Sequence, residues 1–136
     1  MAEKSAANRI QGSARSGDNI AVRVLIVDDH PSFRASARSL LEAEGYEVVG
    51  EAADGAQALQ ASEELRPDFV LLDVQLPDIN GFEVARQLAV SAHPPDVVLT
   101  SSRDGADYGT CIEESRARGF VPKAELSGAA LTLLLG

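Results

Sequence analysis

The chain has 136 residues, 45% of them hydrophobic, and this length favours a single domain with one core. Its net charge of −9 argues against direct nucleic-acid binding, which needs basic groups to neutralise phosphates. No apolar run approaches the roughly 20 residues of a membrane span, and the single cysteine, Cys111, excludes an internal disulfide and suits a cytoplasmic location.

Strand and helix patterns alternate along most of the chain. Residues 1–21 lack hydrophobic periodicity, and we expect a disordered leader there, followed by one domain at 22–136. The predicted strands are about 22–27, 46–52, 69–72, 96–100 and 119–122. Five helices are predicted. The first covers about 31–44, and the second is capped by Asp54 and ends before Pro67. The others cover about 81–91, about 104–115 and the residues from about 127 onwards. This alternation predicts an α/β fold with a parallel sheet covered on both faces.

Acidic residues follow two of the predicted strands. Asp28 and Asp29 come after the first strand, and Asp73 comes after the third. The carboxyl ends of parallel strands share one edge of a sheet, so we expect these carboxylates to lie together. Clustered like charges need a cation, and oxygen ligands favour Mg²⁺. The alternative is that the pair only caps a helix, and that Asp73 only begins the turn that ends at Gly81.

The same edge receives a hydroxyl and an ammonium group. Thr100 or Ser101 follows the fourth strand, and Lys123 follows the fifth. Asp73 is then the candidate nucleophile for a phosphoryl group, whose oxygens the ammonium and a hydroxyl would hold. Alternatively, the lysine is ordinary surface charge and one of the hydroxyls caps the next helix. We expect a structural role for His30 near a helix start.

Four stretches of the sequence together resemble a bacterial response-regulator receiver domain of two-component systems. The resemblance covers about residues 22–135, and its opening is most similar to the NarL/FixJ-type branch, whose full-length members usually carry a C-terminal DNA-binding domain. The stretches are Leu25-Ile26-Val27-Asp28-Asp29-His30, residues 71–81, Leu99-Thr100-Ser101, and Gly119-Phe120-Val121-Pro122-Lys123.

The resemblance implies a flavodoxin-like (CheY-like) fold with strand order 2-1-3-4-5. It implies that a sensor histidine kinase phosphorylates Asp73, with Mg²⁺ held by Asp28, Asp29, Asp73 and the backbone carbonyl of Gln75. The output would be a change in the face formed by helix 4, strand 5 and helix 5, read by a downstream partner or output domain, with a possible homodimer.

Further roles follow from the same resemblance. Lys123 would contact the phosphoryl group, and the hydroxyl 22 residues before it, on Ser101, would be the switch, with Thr100 as second choice. Phe120 occupies the aromatic switch position. Gln75 and Arg103 would tune hydrolysis of the acyl phosphate.

The chain departs from the family pattern at several positions. Arg116 stands where glycine is common, Ala124 stands where proline is widespread, and the last helix is short, which puts the usual dimer contacts in doubt. We expect no enzyme activity on an external substrate, because haloacid dehalogenase-like phosphohydrolases need an Asp-x-Asp that Asp28-Asp29-His30 lacks. A receiver that works without phosphorylation remains an alternative, as does a fragment of a DNA-binding regulator.

Overall fold

The strands form one parallel sheet. The computed structural model describes residues 21–135, so the leader predicted for 1–21 lies almost wholly outside the described residues. The sheet order is β2-β1-β3-β4-β5, which confirms the predicted fold class. The strands are β1 (Arg23–Val27), β2 (Glu47–Ala52), β3 (Phe69–Asp73), β4 (Asp96–Ser101) and β5 (Gly119–Pro122).

Helices cover both faces of this sheet. They are α1 (Pro31–Ala43), α2 (Gly55–Leu65), α3 (Gly81–Ala89), α4 (Cys111–Glu114) and α5 (Gly128–Leu135). Within residues 21–135, none is long and apolar enough to cross a bilayer. The three central strands, β1, β3 and β4, are buried on both sides, as their Val, Leu and Ile runs predict.

The pleat of the strands divides the core into two layers. Val24 and Ile26 pack with Leu41 of α1 and Leu131 of α5. The alternate residues of each strand instead pack with α2 and α3, as Leu25 does. Successive side chains of a strand point to opposite faces, so each strand contributes to both layers. Side chains at the strand ends are therefore directed to one layer or the other.

The α2 helix begins as the sequence predicts, and a distant loop adds a second cap. Asp54 Oδ1 accepts a hydrogen bond of 2.8 Å from the amide of Gln57. Asp78, from the loop after β3, accepts from the amides of Gly55 and Ala56 at 2.8 and 3.0 Å. These amides hold the pKa of the Asp78 carboxyl below its usual range. The loop after β3 is thereby fixed to α2.

The prediction of a single helix over about 104–115 is wrong. A 3₁₀ turn at Gly105–Tyr108 is followed by Gly109 at φ 57°, and α4 has only four residues. Glycine adopts such a backbone without steric cost, and here it ends the first turn. Arg116 takes φ 66°, the left-handed conformation for which glycine is usual after a helix. The helix end is therefore formed without glycine, at the expense of local strain.

Candidate functional site

Two buried carboxylates lie side by side at the carboxyl edge of the sheet. Val27 of β1 pairs with Leu72 of β3, so the residues that follow them, Asp28 and Asp73, are neighbours. Asp28 is fully buried and Asp73 is 2% exposed. Asp29 lies at the surface next to them. The β1 and β3 backbones thus bring together the acids that the sequence places apart.

Lys123 reaches both buried carboxylates from the end of β5. Its Nζ lies 2.6 Å from Asp28 Oδ2 and 3.5 Å from Asp73 Oδ2. The Nζ also lies 4.5 Å from the centre of the Phe33 ring on α1, within the range of a cation–π contact. The lysine side chain is only 17% exposed. Its position is therefore set by the acids and by α1, and it is not a freely solvated surface charge.

His30 belongs to this cluster, which the sequence interpretation missed. Its Nδ1 lies 3.0 Å from Asp28 Oδ1 and 3.1 Å from Asp29 Oδ1, and its backbone amide donates to Asp28 Oδ1. Among the described residues it forms no side-chain hydrogen bond that caps α1. His30 does stand at the N-cap of α1, where its carbonyl accepts from the Arg34 amide at 3.1 Å, and its side chain in addition contacts Asp28 and Asp29. The only sequence signal was its position directly after that pair.

The environment of Asp73 disfavours its charged form. Burial, together with the nearby Asp28 carboxylate, raises the pKa of Asp73 to about 6, although the Gln75 amide and Lys123 act in the opposite direction. Gln75 donates this hydrogen bond to Asp73 Oδ1 at 3.1 Å. A second cation beside Asp73 would stabilise its carboxylate, because a nearby opposite charge favours the charged form.

The donor set fits a divalent cation. Asp28, Asp29, His30 and Asp73 each offer a ligand atom, and these atoms lie within 4.8 Å of one another. Asp28 Oδ2 is buried, and no donor among residues 21–135 has the geometry of a hydrogen bond to it. Its nearby positive charge is Lys123 Nζ, with which it forms an ion pair. Carboxylate oxygens of this kind suit Mg²⁺, which retains several waters. The Gln75 carbonyl as a further ligand stays a prediction.

The loop after β3 folds tightly against the site. The amide of Gly81 donates to the carbonyl of Val74 at 2.7 Å. A Cβ at Gly81 would collide with the Asp73 carbonyl oxygen and stand 2.8 Å from the Val74 Cα. Only glycine allows this approach, so Gly81 holds the loop that carries Gln75 in place.

The two candidate switch hydroxyls have different surroundings, and both are fully buried. Thr100 pairs with Asp73 across the β3–β4 register, and its Oγ1 has no hydrogen-bond partner among the described residues. Ser101 Oγ lies 2.6 Å from the Tyr108 hydroxyl and accepts from the Arg103 amide at 3.1 Å. The Ser101 hydroxyl thus makes its hydrogen bonds outside the acidic cluster, in a contact with Tyr108 that the sequence interpretation missed.

Phe120 and Arg103 lie near this second group. Phe120 is half-buried, with its ring centre 5.8 Å from that of Tyr108. Gln75 and Arg103 are both exposed. The predicted residues therefore fall into two sets, one around Asp73 with Lys123 and one around Ser101 with Phe120.

Comparison with known proteins identifies the family. The response regulator receiver domain family matches residues 24–132. The chain belongs to this family.

Several receiver-containing proteins are similar to the chain. The DNA-binding response regulator MtrA of Mycolicibacterium smegmatis is 45% identical over 78% of this chain and 46% of its own length. A LuxR-family response regulator structure from Aurantimonas has a TM-score of 0.76 at 33% identity, covering 86% of this chain and 87% of the other. A receiver structure assigned to NarL of Mycobacterium tuberculosis has a TM-score of 0.71 at 35% identity, covering 85% and 98%. The resemblance to the NarL/FixJ-type branch is confirmed.

The receiver match concerns only part of the known relatives. The chain spans about half the length, or less, of the curated relatives it matches. The family match covers residues 24–132, and the domain limits of 22 and 136 stay a prediction.

Proposed function

We propose that this receiver accepts a phosphoryl group on Asp73 from a sensor histidine kinase in a Mg²⁺-dependent reaction. The observation that carries the proposal is the buried Asp73 carboxylate at a strand end, beside the Asp28 carboxylate and within 3.5 Å of the Lys123 ammonium. Phosphoryl transfer depends mainly on positioned charges of this kind. A cytoplasmic location stays a prediction.

The chemistry follows from the residues around Asp73. An Asp73 oxygen attacks phosphorus, forming an acyl phosphate while the bond from phosphorus to the donor histidine nitrogen breaks. Asp28 and Asp29, with Asp73 itself, would hold Mg²⁺, which neutralises the developing charge on the phosphoryl oxygens. Lys123 would pair with one of those oxygens as a point charge. Weak hydrolysis returns the free carboxylate, with no external substrate turned over.

The switch would involve the residues of the second set. A phosphoryl group adds three acceptor oxygens beside β4, and the Ser101 hydroxyl would donate to one of them. Movement of Ser101 would vacate space that Phe120 could occupy, and the face built from α4, β5 and α5 would change. The exposed side chains of Gln75 and Arg103 would adjust access of water to the acyl phosphate. Thr100 is the second choice for the switch hydroxyl.

The wider setting is proposed from the family and from the length of its relatives. The partner that reads the switch would be a downstream protein or an output domain, because the curated relatives are about twice as long as the matched region. A DNA-binding output domain suits the names of those relatives, whereas the acidic charge of this chain disfavours DNA contacts of its own. Phosphorylation could also promote a homodimer.

Mass spectrometry after incubation with acetyl phosphate and Mg²⁺ tests the proposal. We expect a mass gain of one phosphoryl group that disappears in Asp73→Asn and persists in Asp107→Asn, whose exposed carboxylate lies outside the site. Omitting Mg²⁺ should also abolish the gain. An unmodified wild-type chain would favour the alternative, a receiver that binds its partner without phosphorylation.

A further inference from the structure

Tyr108 holds the hydroxyl that the proposed switch requires. The Tyr108 and Ser101 hydroxyl oxygens are 2.6 Å apart, and the Arg103 amide also donates to Ser101 Oγ. Ser101 is fully buried, so water does not reach its hydroxyl. Among residues 21–135, the hydrogen bonds of this hydroxyl are therefore all made to the segment that follows β4.

The ring of Tyr108 is fixed by aromatic neighbours on two elements. Its centre lies 5.3 Å from the Phe82 ring on α3, edge-on, and 5.8 Å from the Phe120 ring on β5. Such tilted and edge-on pairs are favourable geometries for aromatic rings. The tyrosine is half-buried, so its hydroxyl is held at Ser101 by packing as well as by the hydrogen bond.

The backbone also holds Tyr108 in place. Tyr108 ends the 3₁₀ turn at Gly105–Tyr108, which Asp104 caps through the amide of Ala106. A Cβ at Gly105 would stand 3.0 Å from the Phe120 ring, so the turn lies directly against β5. Turn, tyrosine and Phe120 thus form one packed unit.

We propose that Tyr108 is a positioning residue that retains the Ser101 hydroxyl in the resting state and so limits how strongly a phosphoryl group shifts the receiver. This inference rests on the proposed function. A serine hydroxyl has one proton to donate. Either hydroxyl could be the donor in the Tyr108–Ser101 pair. If Ser101 donates to Tyr108, its proton is not free for a phosphoryl oxygen. If Tyr108 donates, the movement of Ser101 towards the phosphoryl group that the proposed switch requires breaks the contact. The phosphoryl group and the tyrosine therefore compete for Ser101.

The competition predicts the effect of removing the tyrosine hydroxyl. Tyr108→Phe keeps the ring between Phe82 and Phe120 but removes the partner of Ser101. Beryllofluoride with Mg²⁺, a phosphoryl mimic, should bind this variant about two- to tenfold more tightly, the factor that corresponds to one hydrogen bond. In a Ser101→Ala background the same change should leave the affinity unaltered, since the competition no longer exists.

Titration calorimetry on the wild-type chain and the single and double variants measures these affinities, with Asp73→Asn as the non-binding control. Equal or weaker binding by Tyr108→Phe would overturn the role of Tyr108 alone. A gain that persists in the Ser101→Ala background would also overturn it, because the effect would then be one of packing. Absence of binding by the wild-type chain would overturn the proposed function together with this inference.

Discussion

Lys123 Nζ lies 2.6 Å from Asp28 Oδ2 and closer to it than to Asp73, although Asp73 is the candidate phosphoacceptor. Lys123 therefore balances the negative charge of the fully buried Asp28 more directly than that of Asp73. Breaking a buried ion pair is costly because it leaves a charge without a partner. This relationship makes the site a determinant of stability as well as of chemistry.

Replacing Lys123 with methionine tests that role. The apolar chain still packs on Phe33, but both carboxylates lose their ammonium partner. We expect the free energy of unfolding at neutral pH, without divalent ions, to fall by about 1–3 kcal/mol. Urea denaturation measures the change. In an Asp73→Asn background the loss should be smaller, and a variant as stable as the wild-type chain would contradict the assignment.

Asp73→Asn should stabilise the metal-free receiver at neutral pH. Because the folded-state pKa of Asp73 is raised to about 6, the folded chain binds this proton more tightly than the unfolded chain does. The resulting contribution to stability is fully present below about pH 4 and is lost as the pH rises to about 6. A neutral amide avoids this loss, so we expect a gain on the order of 1 kcal/mol at pH 7.5.

The pH dependence separates this effect from a change in packing. The gain of Asp73→Asn over the wild-type chain should shrink between pH 7.5 and pH 4.5, measured by urea denaturation at each pH. Asp107→Asn, at an exposed carboxylate, should show no comparable gain. A gain independent of pH would mean that the amide acts through its contacts, not through the removed charge.

Gly81→Ala should be strongly destabilising. The added methyl group would meet the Asp73 carbonyl oxygen and the Val74 Cα, which are backbone atoms that cannot turn aside. We expect a loss of more than about 2 kcal/mol in thermal or urea unfolding. Gly45→Ala is the matched control, because Gly45 has φ 94° but open space around it, so only the backbone cost of about 1 kcal/mol applies.

Arg116→Gly should stabilise the chain by up to about 1 kcal/mol. Arg116 adopts φ 66°, which costs a residue with a Cβ about 1–2 kcal/mol, and glycine recovers most of this despite its greater freedom when unfolded. Arg116→Ala keeps the strain and serves as the control. Equal stabilities for the two variants would show that the arginine side chain, not its backbone angle, determines the result.

The strands and the acidic cluster were predictable because both depend on local patterns. Runs of Val, Leu and Ile that stop at Asp28 and Asp73 indicate buried parallel strands, and the shared edge then brings the acids together. The helix predicted across Gly105 and Gly109 failed because two glycines in five positions outweigh helical spacing there. The partners of His30 and Tyr108 depend on how loops turn in the folded chain, which periodicity does not encode.

The pleat of β4 directs neighbouring side chains near Asp73 to opposite faces of the sheet. Val98 belongs to the layer of α1 and α5, and Leu99 belongs to the layer of α2 and α3. By the alternation of the strand, Thr100 faces the first layer and Ser101 faces the second. Asp73 stands at the edge where both layers begin. The phosphorylation proposed for Asp73 would therefore act on both layers at once, so that one partner bound to the α1 and α5 side and another bound to the α2 and α3 side could each respond without contacting one another.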